Sequence, residues 1–260
     1  MKNYWIGTSW KMNKTLGESR EYAHGLVAAL AKTPEVFEAV QPFIIPPHTA
    51  LAEVSAALRQ PNETSQEIIL GAQNAHWEDS GAWTGEVSVP QVKDAGASLV
   101  EIGHSERREF CNETNETTRL KVEAALRHDL TVLLCIGEPA EVRDAGTTVQ
   151  FLLEQAHSAL AGVTEEQLKR VLIAYEPVWA IGENGRPAAP EMLREPFATL
   201  QHEYGHAVEA IIYGGSVNVE NAPQLLELAE VDGLFIGRAA WSLEGYLELL
   251  RLAAAHTSSS

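Results

Sequence analysis

The carboxylate of Glu176 is the side chain whose setting in the sequence most favours chemistry. It follows a short apolar run, Val171–Tyr175, typical of a buried strand, and Pro177 ends strand pairing directly after it. The flanking tyrosine, proline, valine and tryptophan would partly desolvate the carboxylate, which raises its pKa towards the range useful in proton transfer. Segment 182–187 has two glycines and could close over a ligand. The alternative is that Glu176 is a solvated carboxylate before a loop.

Other groups that could do chemistry follow other apolar runs of the chain. They are Lys11 after the first run, His104 and Glu106 after the fourth, Gly214, Gly215 and Ser216 after the seventh, and Gly237 and Arg238 after the eighth. Taken singly, each has a structural explanation, because a lone lysine is usually a surface charge, a lone histidine is usually structural, and a Gly-Gly pair is usually a turn. Their recurrence after four different strands is harder to explain in that way.

Together these groups predict one reaction. Glu176 is suited to act as a general base, His104 can polarise a carbonyl, and Lys11 supplies a compact positive charge. Glycines after the last two strands free backbone N–H groups at helix starts, where such groups bind phosphate. The set therefore predicts removal of a proton next to the carbonyl of a sugar phosphate. The sequence has no metal-ligand spacing and no nucleophile elbow, so we expect neither a metal nor another cofactor.

These residues depend on a chain in which strands and helices alternate. The predicted strands are Tyr4–Gly7, Val40–Ile45, Ile68–Ala72, Leu99–Ile102, Thr131–Ile136, Val171–Tyr175, Ala210–Tyr213 and Gly233–Ile236. The predicted helices are 16–30, 50–58, 89–95, 115–128, 148–160, 191–204, 219–228 and 243–254. Eight such units predict an α/β protein with a single (β/α)8 barrel over residues 1–255 and a flexible tail at 256–260. A doubly wound open sheet is the alternative fold, although no glycine-rich fingerprint follows the first strand.

Composition limits the partners. The formal net charge of −17 argues against nucleic acid or an anionic membrane surface as a partner. The two cysteines are too few for a disulfide framework, and Cys135, in an apolar run, is predicted to be a buried free thiol. The first residues lack the apolar region of a signal peptide, and no apolar run is long enough to cross a membrane. We therefore expect a soluble cytoplasmic protein.

Eight segments carry a resemblance that covers essentially the whole chain. They are Trp10-Lys-Met-Asn13, Gly71-Ala-Gln-Asn74, Thr84-Gly-Glu-Val-Ser88, Glu101-Ile-Gly-His-Ser-Glu-Arg-Arg108, Cys135-Ile-Gly-Glu138, Tyr175-Glu-Pro-Val-Trp-Ala-Ile-Gly182, Tyr213-Gly-Gly-Ser-Val217 and Asp232-Gly-Leu-Phe-Ile-Gly237. In this order they resemble the triosephosphate isomerase family, whose barrel gave the TIM barrel its name. The joint occurrence of these segments makes the resemblance highly specific.

The resemblance implies a role for each main residue. Glu176 would be the base that moves the proton, His104 the neutral electrophile, and Lys11 the cation that steadies the enediolate. The pairing of a glutamate base with a neutral histidine is already established for this family and is not our finding. The residues implied to support the site or to hold the phosphate are Glu106, Ser105, Gly182, Ser216 and Gly237.

The resemblance also implies a homodimer. The polar and aromatic loop 73–86 is long for a compact domain. It resembles the loop that reaches into the neighbouring subunit of the family and braces its lysine, so an isolated subunit should be poorly active. The loop residues expected at that interface are Asn74, Trp83, Thr84 and Glu86.

Three departures from the family pattern bear on the substrate. Ser9 replaces the asparagine expected before Trp-Lys, Arg238 replaces the second glycine after the eighth strand, and the lid 181–187 is one residue longer. A serine leaves room for an additional hydroxymethyl group, and Arg238 adds a cation with five donors near the phosphate. Together these features resemble the erythrulose-phosphate isomerase branch of the family.

The favoured function is therefore a sugar-phosphate isomerase that interconverts L-erythrulose 1-phosphate and D-erythrulose 4-phosphate through an enediol. Glycolytic triosephosphate isomerase, with D-glyceraldehyde 3-phosphate and dihydroxyacetone phosphate, is the close alternative. A barrel that binds phosphates without catalysis is a remote one, because a binding protein needs no base such as Glu176.

Overall fold

A computed structural model of the chain describes residues 3–59, 68–182 and 187–257. Within them, eight parallel strands close into a barrel in sequence order, with β8 hydrogen-bonded to β1. The strands are β1 (Tyr4–Ser9), β2 (Val40–Ile45), β3 (Ile69–Ala72), β4 (Leu99–Ile102), β5 (Thr131–Ile136), β6 (Val171–Tyr175), β7 (Ala210–Tyr213) and β8 (Gly233–Ile236). The predicted (β/α)8 barrel is confirmed, and the open doubly wound sheet is excluded.

Helices follow the strands and cover the outside of the barrel. They are α1 (Leu16–Leu30), α2 (Glu35–Ala39), α3 (Leu51–Leu58), α4 (Val89–Asp94), α5 (Ser105–Phe110), α6 (Asn115–Arg127), α7 (Ala140–Asp144), α8 (Thr148–Ala159), α9 (Glu165–Leu168), α10 (Pro190–Tyr204), α11 (Ala222–Leu226) and α12 (Leu243–Thr257). All eight predicted helices are present. Sequence analysis missed α2, α5, α7 and α9, because these helices are too short to show a helical period.

The last helix differs from its prediction in one respect. Helix α12 continues to Thr257, so the first two residues of the predicted tail 256–260 are helical, and 258–260 lie outside the described residues. Across the described ranges, no helix has both the length and the apolar character needed to cross a membrane.

The barrel wall is apolar on both sides. Successive residues of a strand point to opposite faces, so Val132 and Leu134 of β5 pack beneath the helices while Leu133 and Cys135 point into the barrel. The interior cluster is Phe43, Ile45, Leu99, Leu133, Cys135, Leu172, Ala174, Ala210, Ile212 and Phe235. It fills the barrel and forms a floor beneath the carboxyl ends of the strands. The prediction of a buried free thiol at Cys135 is confirmed.

Candidate active site

One cleft at the carboxyl ends of the strands gathers most of the predicted site residues. Its volume is about 550 Å³. The predicted residues that line it are Ser9, Lys11, His104, Glu106, Glu176, Gly182, Ser216, Gly237 and Arg238. They come from the ends of β1, β4, β6, β7 and β8, so the strand-end pattern in the sequence located the cleft.

Glu176 directly follows β6, and its side chain is buried in the wall of the cleft. The residue is 2% exposed, and its backbone N–H donates to the Ile136 carbonyl over 2.8 Å. A side chain at Gly137 would put its Cβ 1.9 Å from the Glu176 carbonyl oxygen, so this strand end must be glycine. Burial raises the pKa of the Glu176 carboxyl well above its usual range, and the negative charge of Glu101 raises it further. The alternative of a solvated carboxylate is therefore wrong.

His104 follows β4 and faces Glu176 across the cleft. Its Nδ1 accepts the backbone N–H of Glu106 over 3.2 Å, which leaves the ring proton on Nε2. Nε2 lies 3.7 Å from Glu176 Oε2. Burial lowers the pKa of the imidazole to about 4, with the positive charge of Lys11 acting in the same direction. The side chain is thus a neutral N–H donor directed at the space in front of the carboxylate.

Lys11 brings a positive charge to the same space from the end of β1. Its Nζ donates to Glu106 Oε1 over 2.7 Å. Its backbone has a φ of 52°, a left-handed conformation that is uncommon for lysine, and Gln73 Nε2 bonds to its carbonyl oxygen over 2.9 Å. Burial would raise the pKa of the Glu106 carboxyl, but the hydrogen bond and charge of Lys11 outweigh it and lower that pKa. The pair holds the ammonium group at the rim of the cleft.

The wall formed by the ends of β7 and β8 is suited to an anion. Gly214, Gly215 and Ser216 follow β7, and the Ser216 carbonyl accepts Asn221 Nδ2 over 2.9 Å. Gly237 and Arg238 follow β8. Among the described residues, no side chain forms a hydrogen bond or ion pair with the exposed Arg238 guanidinium. Backbone N–H groups and an uncompensated cation are what a phosphate group requires.

The segment before the lid is anchored by a carboxylate to which sequence analysis gave no role. Buried Glu138 accepts Trp179 Nε1 over 2.8 Å and the Tyr175 hydroxyl over 3.2 Å on the same Oε1. The guanidinium of Arg143 lies 4.2 Å from the centre of the Trp179 ring. Glu138 was visible only as the last residue of a matching segment. Of the predicted lid, residues 183–186 lie outside the described residues.

Five of the predicted residues, Ser105 and the four loop residues, do not line the cleft. Ser105 begins α5 and borders a separate cavity of about 370 Å³ behind Glu176, together with Arg108 and Cys135. Asn74 is buried within its own subunit, where its side-chain oxygen accepts Lys121 Nζ over 2.9 Å. The other loop residues expected at an interface, Trp83, Thr84 and Glu86, are exposed on this chain.

Sequence analysis missed a second buried carboxylate beneath the cleft, Glu101 of β4. It is 3% exposed, and its Oε1 lies 4.0 Å from His104 Nε2. Burial raises the pKa of this carboxyl to about 7, against a hydrogen bond from the Ser9 side chain and the charge of Lys11, which both lower it. The signal was a lone charged residue in an otherwise apolar strand, Leu99–Ile102.

A buried carboxylate, a neutral imidazole and an ammonium group around an anion-accepting cleft define a class of barrel enzyme, an isomerase that works by proton transfer. The comparison with protein families agrees with this geometry. The chain belongs to the triosephosphate isomerase family, whose family model matches residues 4–253.

Individual relatives give a finer view. The chain is 62% identical over 252 residues to L-erythrulose-1-phosphate isomerase of Mycolicibacterium smegmatis, covering 97% of this chain and 94% of that protein. It is 49% identical over 256 residues to L-erythrulose-1-phosphate isomerase of Brucella abortus (strain 2308), covering 96% of each. Among solved structures it resembles triosephosphate isomerase from Bartonella henselae, with a TM-score of 0.82, 33% identity, and coverage of 96% of this chain and 98% of that one.

Proposed function

We propose that this protein interconverts L-erythrulose 1-phosphate and D-erythrulose 4-phosphate by proton transfer through an enediol. The observation that carries the proposal is the placement of Glu176 Oε2 3.7 Å from the N–H nitrogen of His104 in a cleft with an anion-accepting wall. The names of the relatives at 49% and 62% identity support the choice of substrate.

The residues carry the reaction in two steps. Glu176 removes the proton from C3 of L-erythrulose 1-phosphate, while His104 Nε2–H and the Lys11 ammonium stabilise the charge that develops on the C2 oxygen. The enediol that forms has a double bond between C2 and C3. His104 moves a hydroxyl proton from one oxygen to the other, and Glu176 returns its proton to C2. The carbonyl is then at C3, and the product, numbered from its other end, is D-erythrulose 4-phosphate.

The phosphate is held by the opposite wall. Gly182, Ser216 and Gly237 supply donors, and Arg238 supplies a charge that a bare glycine backbone lacks. Ser9 lines the same cleft and replaces the larger asparagine of the family pattern, so we assign the other end of the substrate to this position. The small side chain of Ser9 supports a four-carbon ketose, which differs from a triose phosphate by one hydroxymethyl group at that end.

A homodimer is part of the proposal. Trp83 is 48% exposed and Met12, next to Lys11, is 97% exposed, although both side chains are large and apolar. Apolar side chains on the loop 73–86 and beside the lysine fit a subunit contact that braces Lys11. We infer a cytoplasmic location for the enzyme, because a phosphorylated substrate does not cross membranes unaided. Light scattering on the purified chain tests the dimer, and a stable, fully active monomer would contradict it.

One assay tests the substrate. We expect kcat/KM for L-erythrulose 1-phosphate to exceed that for D-glyceraldehyde 3-phosphate on the same preparation. Turnover of the triose near the diffusional limit of about 10⁸–10⁹ M⁻¹s⁻¹, with poor turnover of the tetrulose, would instead identify a triosephosphate isomerase. Absence of any exchange between substrate and solvent deuterium would favour a phosphate-binding barrel without catalysis.

A further inference from the structure

Glu101 occupies a place in the barrel where a carboxylate is unexpected. Leu99, two residues earlier on β4, belongs to the interior cluster, so alternation directs Glu101 to the interior as well. Its register partner on β5 is Leu133, another interior residue. The proton transfer described above needs only one carboxylate, Glu176, so Glu101 has no assigned task.

The bonding of Glu101 within the described chain is incomplete. Its Oε2 is buried and has no hydrogen-bond partner there. Its Oε1 lies 4.0 Å from His104 Nε2, too far for a hydrogen bond. A buried carboxyl oxygen without a donor destabilises a fold, and such atoms occur mainly where a ligand or a function requires them.

The ring of strands places Glu101 on the side of the barrel away from the phosphate, beneath the cleft that Ser9 and His104 line. β4 stands four positions from β8 in the eight-membered ring, hence directly opposite Gly237 and Arg238. His104 Nε2 lies between two carboxylates, 3.7 Å from Glu176 Oε2 and 4.0 Å from Glu101 Oε1. A substrate whose reacting carbons lie between Glu176 and His104 therefore directs its next carbon towards Ser9 and Glu101.

We propose that Glu101 is a specificity residue that binds the terminal hydroxymethyl group of the four-carbon ketose phosphate through Oε2. This inference rests on the proposed function, which supplies the substrate with that group. Ser9 lines the cleft, and its side chain is small enough to let the hydroxymethyl group reach the carboxyl. A triose phosphate ends before this point and leaves Oε2 without a donor.

Such a contact would give a large preference for the four-carbon ketose phosphate over a triose phosphate. A site built to hydrogen-bond a substrate hydroxyl discriminates against the analogue that lacks it by up to about 10⁴-fold, because the buried partner is left unpaired. Glu101 would thus account for a substrate preference that Lys11, His104 and Glu176 do not provide, since these three side chains treat both substrates alike.

The test compares Glu101→Leu and Glu101→Gln with the unaltered enzyme on two substrates, L-erythrulose 1-phosphate and D-glyceraldehyde 3-phosphate. The readout is the ratio of the two kcat/KM values. Glu101→Leu is expected to lower this ratio by about 100-fold or more, whereas Glu101→Gln, which keeps an acceptor oxygen but loses the negative charge, lowers it by about threefold to tenfold. Glu138→Gln is the matched control, because it alters a buried carboxylate outside the barrel interior and should change both activities in the same proportion.

A binding measurement keeps the test decisive if Glu101→Leu folds poorly. The inhibition constant of erythritol 4-phosphate, relative to that of glycerol 3-phosphate, is measured for Glu101→Gln and for the unaltered enzyme. A shift against the four-carbon polyol supports the inference, and an unchanged ratio of inhibition constants contradicts it.

The outcomes separate the inference from the proposed function. If the unaltered enzyme prefers the tetrulose but Glu101→Leu keeps the ratio within about threefold, or loses both activities equally, Glu101 is a structural residue and only the inference is overturned. If the unaltered enzyme prefers the triose, the proposed function fails and the inference fails with it.

Discussion

The two walls of the cleft differ in how far their functional residues are buried and held by hydrogen bonds within the protein. On the side of β4 and β6, Glu176 and His104 are buried and fixed by backbone hydrogen bonds. On the side of β7 and β8, Ser216 is partly exposed and Arg238 is exposed. The first wall is fixed in position before a ligand arrives, whereas the second has donors to spare.

This difference follows from what each wall must do. Proton transfer needs pKa values far from those in water, and burial of Glu176 and His104 shifts them in opposite directions. Capture of a phosphate dianion needs charge and donors that water can still reach before binding. Substitutions on the first wall should therefore change kcat, and substitutions on the second should change KM.

The largest effect is expected from Glu176→Gln. It removes the base while keeping the size of the side chain, so kcat should fall by about 10³–10⁴-fold with a small change in KM. Glu138→Gln is the control, because Glu138 is another buried carboxylate that accepts hydrogen bonds from Tyr175 and Trp179 and does not line the cleft. Steady-state kinetics on L-erythrulose 1-phosphate gives kcat and KM for both variants. An unchanged kcat for Glu176→Gln would mean that Glu176 is not the general base.

Lys11→Met tests the residue that lies between the walls. The variant keeps the stem but loses the cation that stabilises the enediolate, so kcat/KM should fall by about 10²–10³-fold. Lys32→Met, on the exposed surface, controls for the loss of one positive charge from a chain with a net charge of −17. Equal kinetic constants for Lys11→Met and Lys32→Met would mean that Lys11 acts only through its contribution to the net charge of the protein.

Arg238→Gly tests the second wall alone. We expect KM to rise by about threefold to tenfold with kcat little changed, since an exposed guanidinium contributes one screened, charge-assisted contact to the phosphate. KM of the unaltered enzyme should also depend more steeply on salt concentration than KM of the variant. A fall in kcat with constant KM would contradict the assignment of this wall to binding.

The smallest effect concerns stability and pH. The folded-state pKa of Glu101, about 7, lies above its ordinary value of 4.5, so its stabilising contribution is complete below pH 4.5 and is lost as the pH rises through about 7. Between about pH 5 and pH 8 this amounts to roughly 3 kcal/mol. Glu101→Gln removes the dependence, so its melting temperature should exceed that of the unaltered protein at about pH 8, with the difference shrinking towards pH 5.

Neighbouring groups also contribute to the pH dependence, and the charge of Glu101 raises the pKa of Glu176, so Glu101→Gln alters both carboxyls. His104 acts in the opposite sense, because its pKa is lowered to about 4 from 6.5 and the folded state loses stability as the pH falls through that window. Glu176 acts in the same sense as Glu101. Melting curves of both proteins over the pH range report Glu101 together with its effect on Glu176, and parallel curves would contradict the raised pKa of Glu101.

Sequence reasoning reached the fold and most of the cleft, for a physical reason. Parallel strands buried on both faces read as short apolar runs, and residues after them converge at one rim, so Lys11, His104 and Glu176 could be placed together. The same double burial hides which residues of a strand point inwards. Glu101 was therefore read only as part of a matching segment, although the folded chain sets it beneath the cleft.

Two further differences concern single side chains. Ser105 and Glu106 are neighbours in the sequence, but the first turn of α5 rotates one towards a rear cavity and the other towards Lys11. Asn74 accepts a hydrogen bond from Lys121, which is distant in sequence, so no local sequence pattern predicts that contact. Short-range signals do not fix either arrangement.

The pairing of β8 with β1 has a consequence for how activity returns after denaturation. Lys11 follows β1 and Arg238 follows β8, so the gap between them becomes a cleft wall only when the final strand docks against the first. A refolding chain in which this pairing has not yet formed has no complete anion site, even where Glu176 and His104 are in place. Recovery of turnover should consequently lag behind recovery of helical signal, and it reports the moment at which the ring closes.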